Sequence, residues 1–454
     1  MRKINFNFRQ RIHSLSPAQL IVSFYLIAVL IAVILLSLPI ARYPGDDWTF
    51  INALFTAVSA VSVTGLTVVN TAETFTIPGV FILAFLLQFG GVGVMALGTF
   101  IWLILGRKIG LRERKLMMVD QNQSNLSGIV NLIKQILVLI LTIEFIGAVI
   151  LGTYYLNYFA TWQEAYLHGF FASVSATTNG GFDITGESLV PFAGDYFVQF
   201  ITMLLITTGA IGFPVLIEIK EFVMNKKGRF RFSLFTKITT LIFGILVAFG
   251  TIMIILLEFN DFFKGMAWHE AFFYALFQSV TTRSGGLSTM DVSEFTMPTL
   301  LVMCALMFIG ASPSSVGGGI RTTTFALNCL FLYHFARGNK NIKLFRREIH
   351  EEDIIKSLVV LFLAIILWFS SVTFLTFTEG GKFELIELMF EVSSAFGTTG
   401  LSMGITPELS TLGKSLIICL MFIGRVGLLT FLFMMESKRK PPKYHYPVER
   451  IIIG

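Results

Sequence analysis

The chain has 454 residues, of which 54% are hydrophobic and only 14% charged, where an ordinary soluble domain carries roughly a quarter charged residues. With a mean hydropathy of +0.76, this argues against a soluble enzyme and for a polytopic membrane protein set in a lipid bilayer. The formal net charge of +6 is gathered beside apolar spans, which reads as topology and not as nucleic-acid binding.

In chain order, a polar segment (1–17) leads into a first apolar span, 18–38. Its Ser37-Leu38-Pro39 end is a poor cleavage site, so the span reads as a retained helix and not a signal peptide. A short amphipathic stretch, 50–61, follows and closes in Ser62-Val63-Thr64-Gly65-Leu66 before a second span, 78–105. The same order recurs three times: 136–159, 164–176 and 197–219; 235–257, 266–281 and 297–333; 357–377, 385–396 and 414–434. The closing pairs Gly65-Leu66, Gly181-Phe182, Gly286-Leu287 and Gly400-Leu401 recur about every 110 residues, one unit repeated four times. The long spans reach the ~20 residues needed to cross a bilayer, whereas the short ones do not and read as re-entrant.

The expected fold is therefore an all-α polytopic membrane protein. Four repeats of first helix (M1), pore helix and second helix (M2) occupy 18–105, 136–219, 235–333 and 357–434, arranged pseudo-fourfold around one ion pore. Linkers 106–135, 220–234 and 334–356 join them, and a tail, 435–454, follows. Of the 34 lysines and arginines, 27 fall in the N-terminal segment, in 106–135, 218–237 and 333–356, and in the tail. The opposite loops hold Arg42, Lys264, Lys382 and Lys414 among acidic residues that include Asp46, Asp47, Glu73 and Asp195. This asymmetry places both termini in the cytoplasm. Cys304, Cys329 and Cys419 lie in apolar stretches without metal-ligand spacing and read as small packing residues.

The loops carry the chemistry. A dehydrated cation exchanges its water shell for oxygen ligands, which backbone carbonyls of a loop with unusual dihedrals can supply, and glycine adopts such dihedrals at least cost. The candidate filter residues are Val63, Thr64 and Gly65; Asn179, Gly180 and Gly181; Ser284, Gly285 and Gly286; and Thr398, Thr399 and Gly400. Pore helices ending here would aim their negative dipole ends at the site and favour cations. One such loop alone would mean little, because glycine and serine are common in membrane helix packing; the fourfold recurrence gives the signal. The third repeat is one residue shorter between its Phe and its glycine (Phe277 to Gly286, against Phe55 to Gly65, Phe171 to Gly181 and Phe390 to Gly400), so Gly180 and Gly285 are alternative registers.

The third M2 contains Gly310, Ala311, Ser312, Pro313, Ser314, Ser315, Val316, Gly317, Gly318 and Gly319. This run is too rich in glycine and serine to stay helical. Non-helical backbone at membrane depth survives where protein or a water-filled cavity satisfies it, so the run reads as a mobile loop that obstructs the pore, the alternative being a broken helix with a packing role. Three arginines, Arg283, Arg321 and Arg425, fall inside the membrane. An ionised group there is a functional candidate, and a bonding role with backbone carbonyls is the bland alternative. Arg425 lies at the matching depth of the fourth repeat, as an electrostatic barrier or an anchor for the loop.

Taken together, the four loops, Thr281-Thr282-Arg283-Ser284-Gly285-Gly286-Leu287 among them, the glycine-rich break and Arg425 resemble the Trk/Ktr/HKT superfamily of potassium transporters over essentially the whole chain. Within it the resemblance is greatest to KtrB-type membrane subunits of bacterial Ktr systems, since only some 17 polar residues precede the first span where TrkH-type relatives have two further helices. The resemblance implies potassium as substrate at the carbonyls near Gly65, Gly181, Gly286 and Gly400, sodium as activator, and gating by the intramembrane loop. It also implies a homodimer in the cytoplasmic membrane, docked on a cytosolic ring of RCK-domain subunits (KtrA or KtrC type) that bind adenine nucleotide. The chain itself has no P-loop or dinucleotide fingerprint and no covalent cofactor is expected. The ends after 105 and 333 and the tail, with Lys438-Arg439-Lys440-Pro441-Pro442 and apolar Ile451-Ile452-Ile453, are candidate docking surfaces; lipid contact is the other reading of the basic run.

An intramembrane protease or acyltransferase would need a catalytic constellation at depth. His168 and His269 start pore helices and read as caps, and no His-Glu-x-x-His or Gly-x-Ser-x-Gly motif occurs. A sodium-coupled symporter is the nearer alternative, but carriers usually carry inverted repeats and these four run parallel.

Overall fold

The computed structural model describes residues 16–45, 48–93, 110–120, 128–225, 230–339, 341–435 and 449. The N-terminal segment to residue 15, Asp46 and Asp47, the end of the first M2 with the linker start (94–109), and nearly all of the tail lie outside the described residues.

Each repeat opens with a long M1: Pro17–Leu36, Ile129–Tyr155, Leu234–Glu258 and Glu351–Thr378, of 20, 27, 25 and 28 residues. At 1.5 Å per residue these reach 30 Å or more, the thickness of a bilayer's hydrocarbon core. Ser16 caps the first through a reciprocal box with Gln19, and Ser233 caps the third through the N–H of Thr236. The pore helices are Phe50–Ser62, Trp162–Thr177, Trp268–Thr281 and Leu385–Gly397, close to the predicted stretches. Their anchors are Phe55, Phe171, Phe277 and Phe390, all at most 1% exposed.

In the third and fourth repeats a carboxylate at the end of M1 secures the start of M2. Glu258 accepts from the backbone and hydroxyl of Thr296 at 2.9 and 2.7 Å, and Glu379 accepts from the backbone of Ser410 at 3.2 Å and from its hydroxyl at 2.5 Å. Both carboxylates are buried and sit at the positive end of a helix whose first N–H groups need acceptors.

The M2 helices depart from the sequence expectation of continuous spans in repeats two and four, and the rest of the first span, 94–105, lies outside the described residues. The first runs Ile77–Val92 and ends at Gly93, the second is Tyr196–Ala210 followed by Phe213–Met224, and the fourth is Thr411–Val426 followed by Leu428–Met435. The second bends by 108° at its break. These two breaks and the end of Ile77–Val92 fall on equivalent glycines with nearly identical backbone: Gly93 at φ 99°, ψ 135°; Gly212 at 102°, 133°; Gly427 at 89°, 138°. That conformation costs an L-residue dearly and glycine little. The third M2 is interrupted over 13 residues, between Met297–Phe308 and Thr322–Ala336. A small antiparallel hairpin, Lys343–Leu344 with Arg347–Glu348, lies in the third linker and was not anticipated.

Candidate functional site: a ring of four pore loops and the loop beside it

After each pore helix the chain turns through one left-handed residue that is not glycine: Val63 (φ 55°), Asn179 (53°), Ser284 (66°) and Thr398 (46°). Two residues later comes a glycine with positive φ: Gly65 (93°), Gly181 (66°), Gly286 (73°) and Gly400 (92°). Gly180 and Gly285 do not share that conformation. Their N–H groups instead close the pore-helix end, Gly180 on Ser175 O at 2.7 Å and Gly285 on Thr281 O at 2.7 Å.

The same bonds account for the shortened third repeat. Thr64, Gly180 and Thr399 close on Ser59, Ser175 and Ser394, five residues back, whereas Gly285 closes on Thr281, four back. The missing residue is absorbed by a tighter final turn, and the glycines stay in step. The four closing residues are hydroxyl-bearing and grip the loop a second time. Ser59 Oγ accepts from Gly65 N at 3.1 Å and Ser394 Oγ from Gly400 N at 3.0 Å, while Ser175 donates to Phe182 O and Thr281 to Leu287 O, both at 2.5 Å. Sequence reading missed these hydroxyls, although a hydroxyl at the same offset from each pore-helix Phe was there to be aligned.

The loops converge edge to edge in the order of the repeats. A Cβ placed on Gly65 would lie 2.8 Å from Gly180 O and from Gly181 Cα, and one on Gly181 would lie 3.0 Å from Gly286 Cα. One on Gly286 would lie 2.5 Å from Thr399 O, and one on Gly400 would overlap Thr64 O. The glycines thus form a closed ring with carbonyl oxygens of Thr64, Gly180 and Thr399 at its joints, and no side chain fits at those four positions. Four pore-helix C-termini end beside this ring, each contributing about half a negative charge.

The segment from Gly310 to Gly319 packs directly against the ring and is fixed by backbone bonds to the second repeat. Ser312 N donates to Ala210 O at 3.0 Å, Val316 N to Gly209 O at 3.2 Å, and Ser314 O accepts from Phe213 N at 2.8 Å. Gly318 N donates to Thr398 Oγ1 at 2.7 Å. These partners exist because the second M2 breaks at this level and frees its last carbonyls.

All three arginines that the sequence reading puts inside the membrane bond carbonyls. Arg283, fully buried, donates to Ile309 O at 2.6 Å and to Leu306 O, at the end of Met297–Phe308. Arg321 donates within the loop, to Gly317 O and to Ser312 O at 3.3 Å. Arg425 reaches Val316 O in the loop and, on the first repeat, Gly90 O and Gly91 O, the latter at 3.1 Å. Each guanidinium meets carbonyls released by a helix end or break, where a cation is favoured. Arg321 and Arg425 also line a cavity of about 100 Å³ together with Tyr25, Gly93, Phe213 and Ser314. His168 stacks on Phe159, and His269 bonds Tyr196 Oη at 2.7 Å; neither joins a metal-binding cluster, of which there is none among the described residues.

The comparisons agree with this architecture. A family model described as "TrkH: Cation transport protein" matches residues 12–443. The chain is 65% identical to Ktr system potassium uptake protein D of Bacillus subtilis over 99% of this chain and 100% of that one. It is 36% identical to Ktr system potassium uptake protein B of the same organism, over 97% of each, so the relationship to protein D exceeds the KtrB-type resemblance expected. The crystal structure of the potassium transporter TrkH from Vibrio parahaemolyticus superposes with a TM-score of 0.69 at 21% identity, covering 91% of this chain and 84% of that one, a likeness of fold. The chain belongs to the TrkH family of cation transport proteins.

Proposed function

We propose that this chain is the potassium-translocating subunit of a bacterial Ktr system, a transporter and not an enzyme. The observation that carries the reading is the closed ring of Gly65, Gly181, Gly286 and Gly400 with carbonyl oxygens at its joints, the oxygen-lined constriction that a dehydrated cation requires. The names of the two Bacillus relatives supply the ion.

In this reading the filter consists of the twelve residues from the four loops, and Gly310 to Gly319 is the gate, held by Arg425. The subunit pairs as a homodimer in the cytoplasmic membrane with both termini cytoplasmic. It is controlled by a cytosolic RCK-domain ring that binds the nucleotide, and sodium activates uptake. The term "Ktr system" in the relatives' names supports a multi-subunit assembly.

The test is growth at low potassium and rubidium uptake in bacteria lacking their own potassium uptake, with this chain expressed alone and with an RCK-type subunit. Uptake that rises with the partner is expected. Sodium flux alone, or no flux with any partner, overturns the reading.

A further inference from the structure

One buried carboxylate in the pore domain has no part in the arrangement above. Glu391, in the fourth pore helix, is 0% exposed. Its Oε1 accepts from Thr406 Oγ1 at 2.8 Å and from Ser402 Oγ, and those two hydroxyls are 2.9 Å apart. Its Oε2 is equally shielded and bonds nothing among the described residues. Ser402 lies two residues past Gly400, so Glu391 grips the fourth loop beyond the ring.

The four repeats differ at this position. Its equivalents, each following the buried pore-helix Phe, are Thr56, Ala172 and Gln278. Gln278 does the same work with an amide, donating to Ser288 Oγ at 2.8 Å, two residues past Gly286. Thr56 Oγ1 is shielded and bonds nothing among the described residues, and Ala172 has no polar group to offer. Glu391 and Ser394 stand three residues apart on one helix face, so a single face holds the fourth loop on both sides of Gly400: Ser394 at its N–H and Glu391 through Ser402. In the third loop Thr281 donates to Leu287 O and Gln278 to Ser288 Oγ, both past Gly286, while neither Thr56 nor Ala172 gives the first and second loops such a bond among the described residues.

We propose that Glu391 is a positioning residue for ion selection: by accepting from Ser402 and Thr406 it fixes the outer end of the fourth loop and thereby the placement of the Thr399 and Gly400 backbone in the ring. This rests on the ring being the ion filter. Displacement of a loop by a fraction of an ångström changes the oxygen cage an ion meets, so the effect appears in ion preference and affinity more than in maximal rate.

The experiment measures rubidium uptake and its inhibition by sodium for the full chain with its regulatory partner, alongside membrane abundance. Glu391→Ala is expected to raise the KM for rubidium and lower the rubidium-over-sodium preference, each by about fivefold, the scale of one lost hydrogen bond, with maximal rate changed less. Glu391→Gln retains an accepting oxygen and is expected to restore both to within about twofold. Ser402→Ala is expected to move both values in the same direction, and adding Glu391→Ala to it to give little further change, since both remove one linkage. Unchanged KM and preference in Glu391→Ala overturn the proposal. Should that variant fail to reach the membrane, Ser402→Ala decides it, and unchanged values there overturn it equally. Absence of rubidium uptake by the wild-type chain would instead remove the filter reading itself.

Discussion

The backbone N–H of Gly318 donates to the side-chain oxygen of Thr398 at 2.7 Å, joining the loop that interrupts the third repeat to the fourth pore loop. Thr398 is one of the four left-handed residues at the ring, and its neighbour Gly397 accepts from Ser284 Oγ of the third loop at 3.0 Å. A Cβ on Gly317 would lie 2.6 Å from that serine's Cβ. The interrupting loop and the pore loops are therefore one bonded unit in this conformation, and loosening one must act on the other.

Thr398→Val keeps the shape of the side chain and removes the acceptor for Gly318. A neutral hydrogen bond contributes about 1 kcal/mol, so the balance should shift by about fivefold toward a displaced loop. Higher basal rubidium flux without the regulatory partner is expected, read in proteoliposomes; flux equal to wild type would mean that this bond does not restrain the loop.

Arg425 offers a stronger restraint, because its charge-assisted bonds reach Val316 O on the loop and Gly90 O and Gly91 O on the first repeat. One planar fork serves two elements, a geometry that lysine cannot reproduce. Arg425→Lys should therefore behave more like Arg425→Ala than like wild type, with basal flux raised by at least as much as in Thr398→Val. A lysine variant with wild-type control by the partner would assign Arg425 an electrostatic role alone.

Much of this was legible in the sequence, for a physical reason. Re-entrant pore helices are shorter than a bilayer, and a glycine forced to positive φ recurs at Gly65, Gly181, Gly286 and Gly400 because no other residue fits there. The M2 breaks were missed because hydropathy records that a segment is apolar and is indifferent to the direction of its backbone. Residues 197–219 remain apolar through a 108° bend, and only Gly212 and the following Phe213-Pro214 marked it. The third loop's shortening could not be placed from spacing, since the choice between Gly285 and Gly286 depends on whether the pore helix closes over four residues or five.

Space and backbone conformation give a filter prediction with an internal control. Gly286→Ala would put a Cβ 2.5 Å from Thr399 O and 2.7 Å from Gly181 Cα at φ 73°, so the ring must open on two sides. Gly194→Ala meets nothing within 4 Å among the described residues. Potassium-over-sodium preference, measured by competition against rubidium uptake, should fall by about tenfold or more in the first and stay unchanged in the second. Equal preference in both variants would place the selective constriction elsewhere.

At the loop preceding the second M2, Asp195 accepts from Tyr158 Oη at 2.5 Å and from the N–H groups of Phe197 and Val198 at 3.0 and 3.2 Å. Burial pushes its carboxyl up, but the bonds from Tyr158, Tyr154 and the backbone outweigh it and hold the carboxyl below the usual range. The Tyr158 hydroxyl is pushed up to about 12, first by its bond to Asp195. A lowered carboxyl contributes stability that is present above the unfolded carboxylate pKa of about 4 and fades as pH falls through the folded value. A raised tyrosine contributes below its unfolded value of about 10 and fades as pH rises through the folded one. The difference in melting temperature between wild type and Asp195→Asn in detergent should thus be full near neutral pH and shrink at both extremes. A difference independent of pH would show that the asparagine replaces the carboxylate in full.

The broken M2 helices separate backbone strain from contact with the loop that interrupts the third repeat. Gly427 and Gly212 share the same conformation, at φ 89° and 102°, so alanine at either costs about 1–3 kcal/mol of strain. Their surroundings differ. A Cβ on Gly427 meets nothing within 4 Å among the described residues, whereas one on Gly212 lies 2.8 Å from Pro313 O in the loop that interrupts the third repeat. Both substitutions should lower thermal stability by a similar amount, but only Gly212→Ala presses on the loop, so only it should change basal flux and the response to the regulatory partner. Equal effects of the two on flux would mean that the breaks act through the path of the helix, with the contact to Pro313 incidental.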